Sequence, residues 1–154
     1  MQRMFVFVFL IGVILLGFVG CSGESEPLRK VNETEAERAT EFVTSYKMSM
    51  VDAVNKGSFN ELEPFLITNN SFYHSLRRYV GDLQREQTKK TLILFEVMNV
   101  YKGERNNWFV DALEVVELNE NGQVKTEERN VRFELIEDKT ETFRVVTIKQ
   151  QSKN

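Results

Sequence analysis

One cysteine, one histidine and two prolines in 154 residues leave this chain without several kinds of chemistry. A single cysteine cannot close a disulfide within the chain, so the fold must be held by its core alone. A zinc site of the usual Cys/His composition cannot be assembled, and no Asp-x-Asp-x-Asp-Gly spacing marks a calcium loop, so no metal is expected. No phosphate loop or dinucleotide fingerprint occurs, so no cofactor is expected either. Ser71 lacks a histidine and an acid at recognisable spacing, and nucleophilic catalysis therefore has no support. The 20 basic and 23 acidic side chains leave a net charge of −3. A nucleic-acid surface needs a basic excess concentrated on one face, so that partner class is excluded.

What the chain does have is an unbroken apolar run over residues 4–20, preceded by one positive charge at Arg3 and closed by Cys21. This is the anatomy of a bacterial lipoprotein export signal. The small Gly20 beside the thiol suits the processing, whereas Phe18 stands where the pattern usually has leucine. Cleavage before Cys21 removes 1–20 as signal peptide, and a diacylglyceryl group on Cys21 then anchors the protein in membrane lipid. Each buried methylene contributes about 0.8 kcal/mol, so two acyl chains hold it stably. The other reading is an uncleaved anchor, because the run just spans a hydrocarbon core of about 30 Å. Either reading places the polar domain outside the cytoplasm, close to the cell membrane. Polar residues 21–33 read as a flexible tether, 34–150 as one domain, and 151–154 as a loose tail.

Within the domain, Thr34 and Glu37 form a capping-box pattern that predicts a helix over 35–56. Its apolar face is Ala39, Phe42, Val43, Tyr46, Met50 and Val54, and Gly57 is a natural stop. Ser58 and Glu61 repeat the capping pattern, but Pro64 restricts the second element to one or two irregular turns. Asn69 or Asn70 caps a third helix bearing Phe72, Leu76, Tyr79, Val80 and Leu83 on one face, with Gly81 weakening it. From Thr91 onward β-formers dominate. The first strand, 91–101, reads as buried on both faces early on. The second, 108–118, carries Asp111, Glu114 and Glu117 outward at intervals. Asn121-Gly122 marks a tight hairpin into a third strand over 123–137, since both residues tolerate positive φ. A fourth strand alternates through Phe143, Val145 and Thr147. Three helices followed by four antiparallel strands make an α+β fold, with the helices packed on one face of a curved sheet.

Several residues within this order resemble a known family: Tyr46 and Ala53-Val54-Asn55 on the first helix, Gly57-Ser58-Phe59, Glu63-Pro64-Phe65-Leu66 and Asn70-Ser71-Phe72-Tyr73. The segment 42–148 is similar to the C-terminal extracytoplasmic domain of the teicoplanin resistance-associated membrane protein (TcaA) family of Gram-positive bacteria. The resemblance implies a nuclear-transport-factor-2-like cone, or cystatin-like roll. It also implies an envelope location, although that family is anchored by a transmembrane helix after a cytoplasmic segment.

Enzymes of the implied fold place a carboxylate and tyrosines inside the cone, which singles out Asp111 with Tyr46 or Tyr101. Strand alternation groups Asp111 with Phe109, Leu113 and Val115, so it points either into the cone or to an edge. His74 is the side chain whose ordinary pKa lies near neutrality and is the default acid/base candidate, though it sits off the apolar face of its helix. Trp108, beside Asn106 and Asn107, is either a stacking residue for a sugar or partner, or the plug at the open end of the core. Arg77, Arg78, Arg85, Lys89 and Lys90 make a basic side interrupted by Asp82 and Glu86. Three functions remain open: a non-enzymatic binding module for an envelope protein or cell-wall component, a small-molecule enzyme using a cavity carboxylate, and a structural domain that homodimerises through its sheet.

Overall fold

A computed structural model describes residues 27–152. Expectations that fall on 1–26 and 153–154, including the signal peptide and Cys21, lie outside the described residues. Five antiparallel strands form one meander in the order β1 (Arg29–Lys30), β2 (Lys89–Lys102), β3 (Asn107–Glu120), β4 (Gln123–Glu137) and β5 (Phe143–Gln151). Between β1 and β2 come α1 (Glu33–Lys56), a 3₁₀-helix (Phe59–Phe65) and α2 (Ser71–Arg85). Among the described residues no helix is long and apolar enough to cross a membrane.

The α+β arrangement agrees with the sequence reading, but the sheet has five strands rather than four and the helices do not come first. Arg29 and Lys30, expected in the tether, pair with Lys102 and Tyr101 at the sheet edge. Helix α1 is capped by Asn32 rather than Thr34: its side chain accepts from the amide of Glu35, whose carboxylate accepts from the amide of Asn32. Asn outranks Thr as a cap, and the rival pattern two residues downstream lies inside the first turn. Gly57 closes the helix in the left-handed conformation, at φ 82°, as a C-terminal glycine commonly does. Asn70 caps α2, accepting from the amide of Tyr73 at 2.7 Å.

The Asn121-Gly122 hairpin is present, with positive φ at both residues and Glu120 paired with Gln123. Strand β5 continues through Gln151, the first residue of the expected tail. Strand β2 differs more. Ile93 and Met98 are 56% and 57% exposed, so the strand is not buried on both faces. Each sits at a register shift, between Leu92 and Leu94 and between Val97 and Asn99, where the bulge leaves it without a partner on β3.

The core lies between the helices and one face of the sheet. Ala39, Val43, Tyr46, Met50, Ala53 and Val54 of α1 and Tyr73, Leu76, Val80 and Leu83 of α2 meet Trp108, Val110 and Ala112 of β3 and Val131, Phe133 and Leu135 of β4. Tyr46 of α1 meets Phe133 of β4 edge-on at 6.0 Å across the layers, and within the sheet Trp108 meets Phe143 edge-on at 5.2 Å. Burial of each such side chain contributes about 1.5–3 kcal/mol.

Candidate functional site

Four charged side chains converge where α1, α2 and the inner sheet face diverge. Glu114 is on β3, directly across from Arg129 on β4. Lys47 descends from α1 and Lys90 enters from the start of β2. They line an open cavity of about 330 Å³ with Tyr46, Tyr79 and apolar groups that include Met50, Phe72 and Ile148. That volume is in the range of small-molecule sites.

The geometry centres on Glu114. Its Oε1 accepts from Arg129 Nη2 at 2.6 Å and its Oε2 is ion-paired with Lys47 Nζ. Lys47, Lys90 and Glu114 are only 5%, 2% and 3% exposed. Burial pushes the Glu114 carboxyl up, but Lys47, then Arg129 and Lys90, outweigh it and hold the group below its usual range. Burial lowers Lys47 against the opposing pull of Glu114. It lowers Lys90 to about 8, with Arg129 adding to the effect. The Tyr46 hydroxyl is raised, first by burial and then by Glu114.

Lys90 has a different kind of partner. Its ammonium donates to the Tyr79 hydroxyl at 3.1 Å and lies 5.1 Å from that ring's centre. Among the described residues no carboxylate comes within ion-pair distance of it. Asn55 positions it: the Asn55 amide donates to the Lys90 carbonyl at 2.8 Å and its oxygen accepts from the Lys90 amide at 2.9 Å. These bonds occupy the outward-facing backbone groups of an edge strand at that point.

Of the residues singled out from sequence, Tyr46 lies in this cavity. Asp111 faces the opposite side of the sheet, where Arg132 grips it bidentately at 2.6 and 2.7 Å and Gln151 donates to it at 3.2 Å. The cone carboxylate is Glu114, which the sequence reading had pointing outward. Tyr101 also belongs to the outer cluster, with the Arg132 guanidinium 5.9 Å from its ring centre. Trp108 is fully buried and plugs the far end of the core. Its indole donates to Glu137 at 3.1 Å, and the Lys102 ammonium lies 4.6 Å from its ring centre. Such a ring offers no stacking surface to a ligand. His74 is exposed on α2, edge-on to Tyr73 at 5.4 Å, and away from the cavity.

The basic side of α2 disperses. Arg77 binds the Tyr73 hydroxyl at 3.1 Å, Arg85 pairs with Asp82 at 2.8 Å, and Lys89 donates to the Asn55 carbonyl at 3.1 Å. Only Lys90 of that group turns into the cavity.

Sequence signals for the missed residues existed. Lys47 lies four residues after Val43 and three before Met50, inside the apolar stripe of α1. Arg129 has the alternation phase of Val131, Phe133 and Leu135, and Glu114 that of Trp108, Val110 and Ala112.

An uncharacterized protein of Alkalihalophilus pseudofirmus is 45% identical to this chain over 149 residues, covering 97% of each. Among solved structures, the intermembrane space region of the chloroplast protein ARC6 superposes with a TM-score of 0.63 at 12% identity, covering 81% of this chain and all of that one. Aln2 from a Streptomyces species superposes at 0.57 with 10% identity, covering 80% of this chain and 94% of its own. Identities this low speak for the fold alone. Residues 35–149 match the model of the TcaA protein NTF2-like domain, as the residues on the first and third helices implied, and the chain belongs to that family.

Proposed function

We propose that the protein is a membrane-anchored lipoprotein on the extracytoplasmic side of the cell membrane, where its cone binds a component of the envelope without transforming it. The address rests on the apolar run over 4–20 ending at Cys21, with membrane lipid as the partner of that cysteine. Family membership supports an envelope role. The observation that carries the binding reading is the state of the cavity carboxylate. General acid–base chemistry works best with a pKa near the operating pH. Glu114 has both oxygens taken up by Lys47 and Arg129, and these cations hold its pKa below the usual range, which makes it a weak base as well as leaving it no proton to donate at neutral pH. The enzymatic alternative relied on a cavity carboxylate, and this one is committed to structure and field.

The test compares native protein with Cys21→Ala in a Gram-positive host by intact mass and membrane partition. A native form that is cleaved and lipidated, with a variant that is not, supports the reading. Retention of 1–20 in both forms makes the segment an anchor helix and Cys21 incidental.

Self-association through the sheet is a second reading, favoured by the exposed Ile93, Leu94 and Met98 on β2. Strand β1 covers only Tyr101 and Lys102, leaving the rest of that edge free of strand pairing. The two bulges there oppose regular strand addition, so the contact would use side chains. Sedimentation equilibrium of native protein against Met98→Lys decides it: a dimer lost in the variant supports the reading, and a monomer in both sinks it.

A further inference from the structure

The cavity has a charge imbalance. Three cationic side chains, Lys47, Lys90 and Arg129, line it against one carboxylate, Glu114. Glu127 stands nearby, 3.8 Å from Arg129 Nη1, but is bound more closely by Lys125 at 2.5 Å. Glu114 spends its two oxygens on Lys47 and Arg129. Lys90 is left almost fully buried with a phenol and a ring face for company. Arg129 Nε is also buried without a hydrogen-bond partner among the described residues.

Burying a cation without a counter-charge is unfavourable, and substitution by an apolar group commonly stabilises such sites. Asn55 nevertheless fixes the Lys90 backbone through two hydrogen bonds, and the Tyr79 hydroxyl receives its ammonium at the cavity wall. Around the charged end, the wall is apolar: Met50, Phe72, Leu76, Val131 and Ile148. We propose that the cavity binds a small amphiphile, with an anionic head at Lys90 and Arg129 and an apolar body against Met50, Phe72 and Ile148. The anion supplies the direct ion pair that Lys90 lacks, since Glu114 acts on it only from a distance, and the apolar wall excludes the water that would otherwise weaken that contact. A cationic or uncharged molecule of the same shape gains the wall but not the head contact.

This inference rests on the binding reading above, and the experiment separates the two. Full-length protein in lipid nanodiscs, methyl-labelled at Met and Ile, is titrated at pH 7 with 4-phenylbutyrate, 4-phenylbutanol and 4-phenylbutylammonium. The Met50 and Ile148 methyl signals report cavity occupancy, and partition of a probe into lipid leaves them unmoved. The expected result is that phenylbutyrate binds about tenfold or more tightly than phenylbutylammonium, with phenylbutanol between. In Lys90→Met the preference for phenylbutyrate shrinks several-fold, Arg129 keeping the remainder, while the apolar contacts remain, and stability of that variant is checked by its unfolding midpoint. Equal binding of all three probes to the native protein overturns the anionic-head assignment and leaves the binding reading standing. No movement of either methyl with any probe overturns both.

Discussion

Two acids near the middle of strand β3, Glu114 and Asp111, lie on opposite faces and have opposite surroundings. On the inner face Glu114 is buried and shared between Lys47 and Arg129, with Lys90 in excess beside it. On the outer face Asp111 has one Arg132, held bidentately and reached by solvent, with Gln151 completing the cluster. The outer pair is balanced and resembles an ordinary surface ion pair that pins β3 to β4. The inner group is unbalanced, with Glu114, Lys47 and Lys90 all buried. Where charge is matched, the simplest account is structural; where cations remain in excess inside a cavity, there is room for the anionic ligand proposed above.

Unfolding measurements should separate these faces most sharply at Glu114. Glu114→Gln leaves three buried or half-buried cations without their anion and should cost about 3–5 kcal/mol in denaturant unfolding at pH 7. Its pH dependence follows from the sign of the shift. A carboxyl lowered in the folded state contributes stability that is present above its unfolded pKa and lost as pH falls through the folded one. The gap between native protein and Glu114→Gln should therefore shrink on acidification below the ordinary carboxylate range. A gap that stays constant into acid would mean that packing, not charge, made the difference.

Lys90→Met should move stability the other way, raising it by on the order of 2 kcal/mol at pH 7. Lys90 is lowered in the folded state, to about 8, so the unfolded chain binds the extra proton between that value and the ordinary lysine range. Native stability relative to Lys90→Met should rise as pH climbs from about 8 towards 10, closing the gap. The groups facing Lys90 are Lys47 from α1, Tyr79 from α2, Glu114 from β3, and Arg129 and Glu127 from β4. Lys47 is lowered as well, in part by Lys90, so its smaller share of the trend shrinks further in Lys90→Met and the difference reports Lys90 together with that coupling. A destabilised Lys90→Met would show that the Tyr79 contact outweighs burial.

Asn55→Ala removes two hydrogen bonds that seat Lys90 and should cost about 1–2 kcal/mol, while weakening any preference for anionic probes by loosening the ammonium. The smallest effect belongs to the outer face. Asp111→Asn keeps the shape of the cluster and should cost about 1 kcal/mol or less, with added salt reducing the difference further. If Asp111→Asn equals Glu114→Gln, the contrast between the faces fails.

Much of the frame was legible in advance. The period of α1, the Asn70 cap, the Asn121-Gly122 turn and the alternation of β4 are local signals, each set by backbone geometry over a few residues. The short β1 was not legible, because Arg29-Lys30 has no pattern of its own and becomes a strand only by borrowing an edge. Nor were the bulges of β2: 92–95 reads as a buried run because Leu, Ile, Leu and Phe are all apolar. The register shifts rotate Ile93 out to solvent while Phe95 still packs on Phe133 at 5.9 Å. In the site, Lys47 and Arg129 each break an apolar face at a countable spacing and could have been flagged. Lys90 could not, since its importance depends on Glu114 being taken up by Lys47 and Arg129 and leaving it without a direct ion pair.

By itself the sequence determined which residues of β3 travel together: Trp108, Val110, Ala112, Glu114 and Val116 on one face, Phe109, Asp111, Leu113 and Val115 on the other. Strand geometry has a period of two, so membership of a face is a local property. It did not determine which face the helices cover, because both sets are apolar around one acid and alternation carries no sign. Only the packing of α1 and α2 made Glu114 the inner acid and Asp111 the outer one. Helix coverage is a long-range property of the chain, and it decided which carboxylate lost its water and gathered three cations around it.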